Sequence, residues 1–176
     1  MTTYQVTSKS QMFILREFRV RTIVLFITCY VLVYLHPEDK LLLILGFGSL
    51  FLIVEFIPSV IIHFQYLRYN GGTKLSIDTE QRVITIENHD SKVSFSYNQI
   101  KTIRLALMGD LHNGYQRGAA SWISYHYAFV KTEDGRHFII TCLLINDLRK
   151  FFKDSGLKVT NDRVFFPTVR MARYKE

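Results

Sequence analysis

Thr22-Ile-Val-Leu-Phe-Ile-Thr-Cys-Tyr-Val-Leu-Val-Tyr-Leu35, then His36-Pro-Glu-Asp-Lys40, then the unbroken run Leu41 to Leu67: this stretch decides the architecture. Between Thr22 and Leu67 only Glu38, Asp39, Lys40 and Glu55 carry a formal charge, and three of these four stand together beside Pro37. Two apolar runs around one short polar break read as a transmembrane helical hairpin. The first run has 14 residues, about 21 Å of helix against a hydrocarbon core of about 30 Å. Alone it is too short; if it extends back to Phe18, Arg19 and Arg21 must sit near the inner boundary and snorkel toward the headgroups. The second run is ample to span, and Pro58 marks a kink or the end of its buried part.

Two other readings compete. Basic residues Arg16, Arg19 and Arg21 before a short apolar centre also suit a cleaved signal peptide. No small-x-small cleavage site follows Leu35, however, and a second apolar run begins at once. The other competitor is a buried helical pair in a soluble protein.

Charge around the runs sets an orientation. Lys9, Arg16, Arg19 and Arg21 precede the first helix, and Arg68 and Lys74 follow the second, whereas the connection offers one Lys beside two acids. Both termini are therefore expected on the cytoplasmic side of the inner (plasma) membrane, with two spans. Tyr30 and Tyr34 then fall near the outer interface, and Phe64, Tyr66 and Tyr69 near the inner one. If the turn centres on Glu38, Arg21 and Glu55 are each 17 residues from it and lie level. An intramembrane ion pair between Arg21 and Glu55 is predicted, because a lone carboxylate at that depth costs several kcal/mol. The alternative is that Glu55 reaches the headgroups or a second protein. Gly46, Gly48 and Ser49 permit close helix approach without forming a GxxxG.

From Phe64 onward the chain holds 17 Lys and Arg against 11 Asp and Glu, a net +6 out of +7 for the whole. This basic part alternates as strands do: Lys74–Asp78, Arg82–Glu87, Lys92–Tyr97, Ile100–Leu107, Tyr125–Thr132 and Arg136–Cys142. A further short strand is expected over Tyr66 to Asn70. Turn residues separate the runs, Glu133-Asp-Gly135 being the strongest hairpin signal. Leu144, Leu148, Phe151 and Phe152 switch to helical spacing, with Asn146 or Asp147 to cap the start and Gly156 to end it. The expected order is six or seven antiparallel strands followed by one amphipathic helix.

In Leu75-Ser-Ile-Asp-Thr-Glu-Gln-Arg-Val-Ile-Thr-Ile86, Phe95-Ser-Tyr-Asn-Gln-Ile-Lys-Thr-Ile103 and Ile145-Asn-Asp-Leu-Arg-Lys-Phe-Phe152 the chain resembles the bacterial pleckstrin-homology (PH)-like domain proteins with an N-terminal two-helix membrane hairpin. The resemblance covers most of residues 66 to 156. It implies a membrane-anchored α+β fold, the hairpin followed by a PH-like antiparallel β-barrel or sandwich capped by a C-terminal α-helix. It further implies a non-catalytic binding or scaffolding platform for lipid headgroups, peptides or partner proteins. The chain then divides into a cytoplasmic N-terminal arm (1–17), the hairpin (18–63), the PH-like domain (64–157) and a basic C-terminal tail (158–176).

Candidate binding residues follow from position. Residues Met108 to Ile123 form a long connection with three glycines and the single tryptophan. Tyr115, Arg117 and Trp122 there suit a membrane interface or a partner; the other reading is a loop without function, Trp122 packed at the barrel rim. Arg68 and Lys74 flank the Gly71-Gly72 turn and offer attraction to anionic lipid, without the dense basic cluster of phosphoinositide sites. Arg163, Arg170, Arg173 and Lys175 read either as a polybasic arm or as a solvated tail. Membrane lipids, a protein partner and self-association are the expected partnerships.

Signals for an enzyme are poor. His89, His112, His126 and His137 show no metal-ligand spacing, and no P-loop, dinucleotide glycine pattern or GxSxG is present, so no cofactor or metal is expected. Cys29 and Cys142 sit in opposite parts of the fold, which argues against a disulfide. Juxtamembrane positive charge accounts for the pI of 9.5 without nucleic acid. The runner-up reading is an accessory subunit of a membrane enzyme or transporter with a polar site near Glu55.

Overall fold

The computed structural model of the chain describes residues 1–88, 91–108 and 120–169. Its first strand comes earlier than the sequence pattern predicts. β1 (Thr2–Gln5) is followed by the short helix α1 (Ser8–Ile14) and by α2 (Arg16–Leu35). A 3₁₀ turn at Pro37–Asp39 reverses the chain into α3 (Lys40–Phe51), a π-helical turn (Leu52–Phe56) and α4 (Ile57–Asn70). Then come β2 (Lys74–Asp78), β3 (Val83–Asn88), β4 (Ser91–Ser96), β5 (Ile100–Met108), β6 (Tyr127–Thr132) and β7 (His137–Thr141). Helix α5 (Leu148–Asp154) and strand β8 (Thr160–Val164) complete the described elements.

Arg16–Leu35 and Pro37–Asn70 are both long and apolar enough to cross a membrane, and nothing in the apolar window of either is buried. A core helix of a soluble protein would be mostly covered, so the buried-pair reading finds no support here. Phe18 joins the two helices, its ring centroid 5.8 Å from Phe51 and 6.3 Å from Phe56. The hydroxyls in the apolar stretches turn onto their own backbone: Thr22 Oγ1 donates to the Phe18 carbonyl at 2.8 Å and Ser49 Oγ to that of Leu45 at 2.6 Å. A Cβ built at Gly46 or Gly48 would meet nothing within 4 Å, so these glycines do not mediate close helix approach within the chain.

The strands form two sheets, ordered β1-β2-β3-β4 and β7-β6-β5-β8, and not a closed seven-stranded barrel. Thr2–Gln5, expected in a cytoplasmic arm, pair antiparallel with Ile77–Lys74, and Tyr4 lies edge-on to Phe151 of α5. Thr160–Val164, expected in the tail, run parallel to Arg104–Met108 at the far edge of the second sheet. The strand expected over Tyr66–Asn70 is instead the last part of α4. Ser59, Ile62, Tyr66 and Asn70 are its buried residues, three or four apart, and only a helix puts them on one face.

Packing explains these departures. Leu75, Ile77, Ile84, Ile86 and Phe95 of the first sheet meet Ile103, Leu105, Leu107, Ala128 and Val130 of the second, with Leu148 and Phe152 of α5 in the same cluster. The alternate residues of the second sheet, Ala106, Tyr127 and Phe129, face the other way and pack on Ile62 and Tyr66 of α4. The second sheet is thus buried on both faces, and the base of the second hairpin helix is one of its covers. Two-sided burial accounts for the nearly continuous burial along β6. Asp147 caps α5, its carboxylate accepting from the Lys150 amide at 2.8 Å, and Gly156 ends the segment at φ +68°.

Candidate functional site

Away from its turn, the hairpin gathers polar groups where the domain touches it. Pro58 lacks the N–H that would bond the Val54 carbonyl four residues earlier, and the helix widens just before it into the π turn. The Trp122 indole Nε1 donates to that Val54 carbonyl at 2.7 Å. Its ring stands edge-on to Phe166 at 5.1 Å. Trp122 belongs to a 3₁₀ turn, Ser121–Ser124, at the end of the long connection.

Glu55 sits beside it. Its carboxylate accepts from the Ser121 backbone N–H at 3.0 Å and from the Ser121 hydroxyl, and Arg21 Nη1 lies 3.8 Å away. Ser59 Oγ is 3.0 Å from Ser121 Oγ, and the Ser124 hydroxyl donates to Glu17 at 3.0 Å. The turn Ser121–Ser124 is therefore clasped between α2, through Glu17, and the second helix, through Val54, Glu55 and Ser59. The polar groups near Glu55 bond one another; they form a latch between hairpin and domain, and the accessory-subunit reading finds no open carboxylate there.

Two more clasps lie lower on α4. The Asn70 side chain donates to the Ile139 carbonyl at 2.9 Å and accepts from the Thr141 amide at 2.8 Å, occupying backbone groups of the edge strand β7. Gln65 exchanges two hydrogen bonds with the backbone of Val169, and Tyr66 Oη donates to the Pro167 carbonyl at 2.8 Å. The chain beyond β8 is thereby held against the base of the hairpin, with Phe165 almost fully exposed beside it.

The remaining sequence candidates are scattered. Arg68 is exposed in the last turn of α4, whereas Lys74 faces Glu87 across the β2–β3 pair at 3.9 Å, a separation Glu87 also has to Lys92. Tyr115 and Arg117 lie outside the described residues, as do Arg170, Arg173 and Lys175.

A family model described as PH domain matches residues 3–151. The chain belongs to the PH domain family. The match begins inside β1, runs through both apolar helices and ends inside α5, so the hairpin lies between the first two strands of this PH domain. No curated protein matches the chain. PH domains are in general binding modules for lipids or proteins.

His126 and Cys142 are among the titratable groups of this PH domain buried beside the latch. His126 Nδ1 is 2.9 Å from the Ser124 carbonyl, and its Nε2 lies 3.4 Å from the Leu148 amide. These partners assign the neutral Nδ1–H tautomer, and burial holds the imidazole below its ordinary pKa. Cys142 is a free thiol, which burial pushes up to about 12, a packing residue by its environment. His137 stacks on Phe129 at 5.1 Å.

The sequence singles out Glu55, Arg21, Trp122 and Pro58, but not Ser121, which bonds both Glu55 and Ser59, nor Ser59, Gln65 and Asn70. Pro58 carried a usable signal: a proline inside an apolar helix leaves a carbonyl that needs a donor.

Proposed function

We infer that the chain is a non-catalytic binding module held at the cytoplasmic face of an inner (plasma) membrane by a two-span hairpin, its ligand a partner protein or anionic lipid. One observation carries the reading. β1 and β2 are neighbours in one sheet, yet the whole hairpin separates them in sequence. Both ends of the hairpin must then lie on the same side of any membrane it enters, which favours two crossings over one. Cleavage after Leu35 would also sever β1 from its sheet, which weighs against a signal peptide. The excess of Lys and Arg flanking the helices supports a cytoplasmic location for that side. The exposed Phe165, next to the segment held on α4, supports a domain seated close to the bilayer.

Single cysteines at Ser8, Glu38 and Lys158, in a chain with both native cysteines replaced, test the topology in intact cells and inverted vesicles. The expected result is labelling of position 38 from outside only, and of 8 and 158 from inside only. Labelling of 38 from the same side as 8 would end the two-span reading. For the ligand, the full chain purified in mild detergent is expected to carry a stoichiometric protein or retained anionic phospholipid. A preparation with neither, whose ordering in bilayer discs is indifferent to anionic lipid, would end the binding reading.

A further inference from the structure

α1 folds back against the root of the hairpin and leaves a recess that the domain does not fill. Between α1, the start of α2 and α4 lies a cavity of about 430 Å³, open on one side, whose apolar walls are Met12, Leu15, Phe18, Phe56, Val60 and Phe64. That volume is in the range of small-molecule sites, about 300–1,000 Å³. The polar residues of the lining are mostly spoken for. His63 Nδ1 is 2.9 Å from the Tyr125 hydroxyl and its Nε2 is 3.4 Å from Gln11, while the Ser59 hydroxyl meets Ser121. Arg19 differs: it is exposed, its guanidinium donates to the Met12 carbonyl at 3.2 Å, and among the described residues no carboxylate pairs with it.

Depth narrows the occupant. Phe56 and Phe64 lie 16 and 24 residues beyond Lys40, about 24 and 36 Å along the helix, against a hydrocarbon core of about 30 Å. The recess thus straddles the inner boundary of the bilayer, and the exposed face of α4 (Ile57, Ile61, Phe64) runs beside it as far as Arg68. We propose that the recess is a lipid-binding site for an anionic phospholipid of the inner leaflet, one acyl chain lying along Phe18, Phe56 and Val60 and the phosphate meeting Arg19. The proposal rests on the membrane-spanning reading above. An apolar chain with a negative headgroup is the ligand that matches a dry slot with one unneutralised cation at its mouth.

The test uses the full chain in bilayer discs of phosphatidylethanolamine and phosphatidylglycerol, with a trace of phosphatidylglycerol carrying a photoreactive diazirine on its acyl chain. Adducts are expected to concentrate on Met12, Leu15, Val60 and Phe64, at least fivefold above the Leu41–Leu45 face, although Leu15 and Val60 are less exposed than that face. Val60→Trp, which fills the slot, is expected to remove that excess while leaving labelling of Leu41–Leu45 unchanged. Phe64→Trp, at the rim, gives a second obstructing variant should Val60→Trp unfold in thermal melts. Arg19→Gln is expected to abolish the preference for phosphatidylglycerol over an equally tagged phosphatidylethanolamine. Uniform labelling of the hairpin, or an excess indifferent to both obstructing variants, would overturn the proposal. So would a disulfide-linked dimer of Val60→Cys in place of lipid adducts, which would make a second copy the occupant. Absence of adducts even at Leu41–Leu45 would overturn the membrane-spanning reading itself, and the proposal with it.

Discussion

Pro58 withdraws one hydrogen-bond donor from the second helix, and Trp122 supplies another from the domain. In a low-dielectric setting an unmet carbonyl costs about 1–3 kcal/mol, so Trp122→Phe, which keeps one aromatic ring but loses the N–H and part of the indole's volume, is expected to destabilise the detergent-solubilised chain by at least that amount. Pro58→Ala restores a backbone N–H, and in its presence the Trp122→Phe loss should shrink. Thermal melts of the four chains of this cycle measure the coupling, and strict additivity would show that the Val54 carbonyl is not what Trp122 serves. His126 makes a second prediction at this scale. Its folded pKa lies below the unfolded 6.5, so the unfolded chain binds more protons once the pH falls below about 6.5. Stability should therefore be full above that pH and decline on acidification, by up to about 1.4 kcal/mol per pH unit until the folded pKa is reached. Protonated Nε2 would face the Leu148 N–H, two donors in place of a donor and an acceptor. His126→Gln should flatten the melting-temperature profile between pH 7 and 5; an unchanged slope would assign the acid sensitivity elsewhere.

The elements differ in how plainly they can be read. β2 through β5 alternate, α5 has its Asp147 cap and its glycine stop, and the two apolar runs with their break, Thr22 to Leu67, hold four charges in 46 residues. β1 and β8 are a different matter. Thr2-Thr-Tyr-Gln5 and Thr160-Asn-Asp-Arg-Val164 each hold one large apolar side chain, so their strand character comes from partners far away in sequence, which periodicity does not report. The end of α4 misleads for the opposite reason: Tyr66–Asn70 suits a strand locally, and burial against the second sheet makes it helix. The candidate site was legible in its charged and aromatic members, whereas Ser121, Ser59 and Asn70 are small polar residues whose roles exist only once the domain is placed on the hairpin. Deleting residues 1–6 should remove Tyr4 from Phe151 and open the β2 edge. The expected result is a lower melting temperature and concentration-dependent association on gel filtration in detergent; a monodisperse, equally stable product would make β1 dispensable.

At the scale of the whole molecule, hairpin and domain share a core. Ile62 and Tyr66 are completely buried on α4, against Tyr125, Tyr127 and Phe129 of the domain. A fragment of residues 74–169 would lose these residues, the β1 strand and the Asn70 bridge to β7 together. It is expected to lack a cooperative thermal transition and to aggregate in aqueous buffer. A folded monomer, judged by circular dichroism and gel filtration, would show that anchor and domain are separable.

The pairing of Thr3 with Ser76 also orders events during synthesis. The first strand leaves the ribosome before either apolar helix, and its partner emerges only after both. No ribosome can finish that sheet until the entire hairpin has been made. Completion of that sheet therefore waits on the whole of both apolar helices, and a chain interrupted within them carries a first strand without its partner.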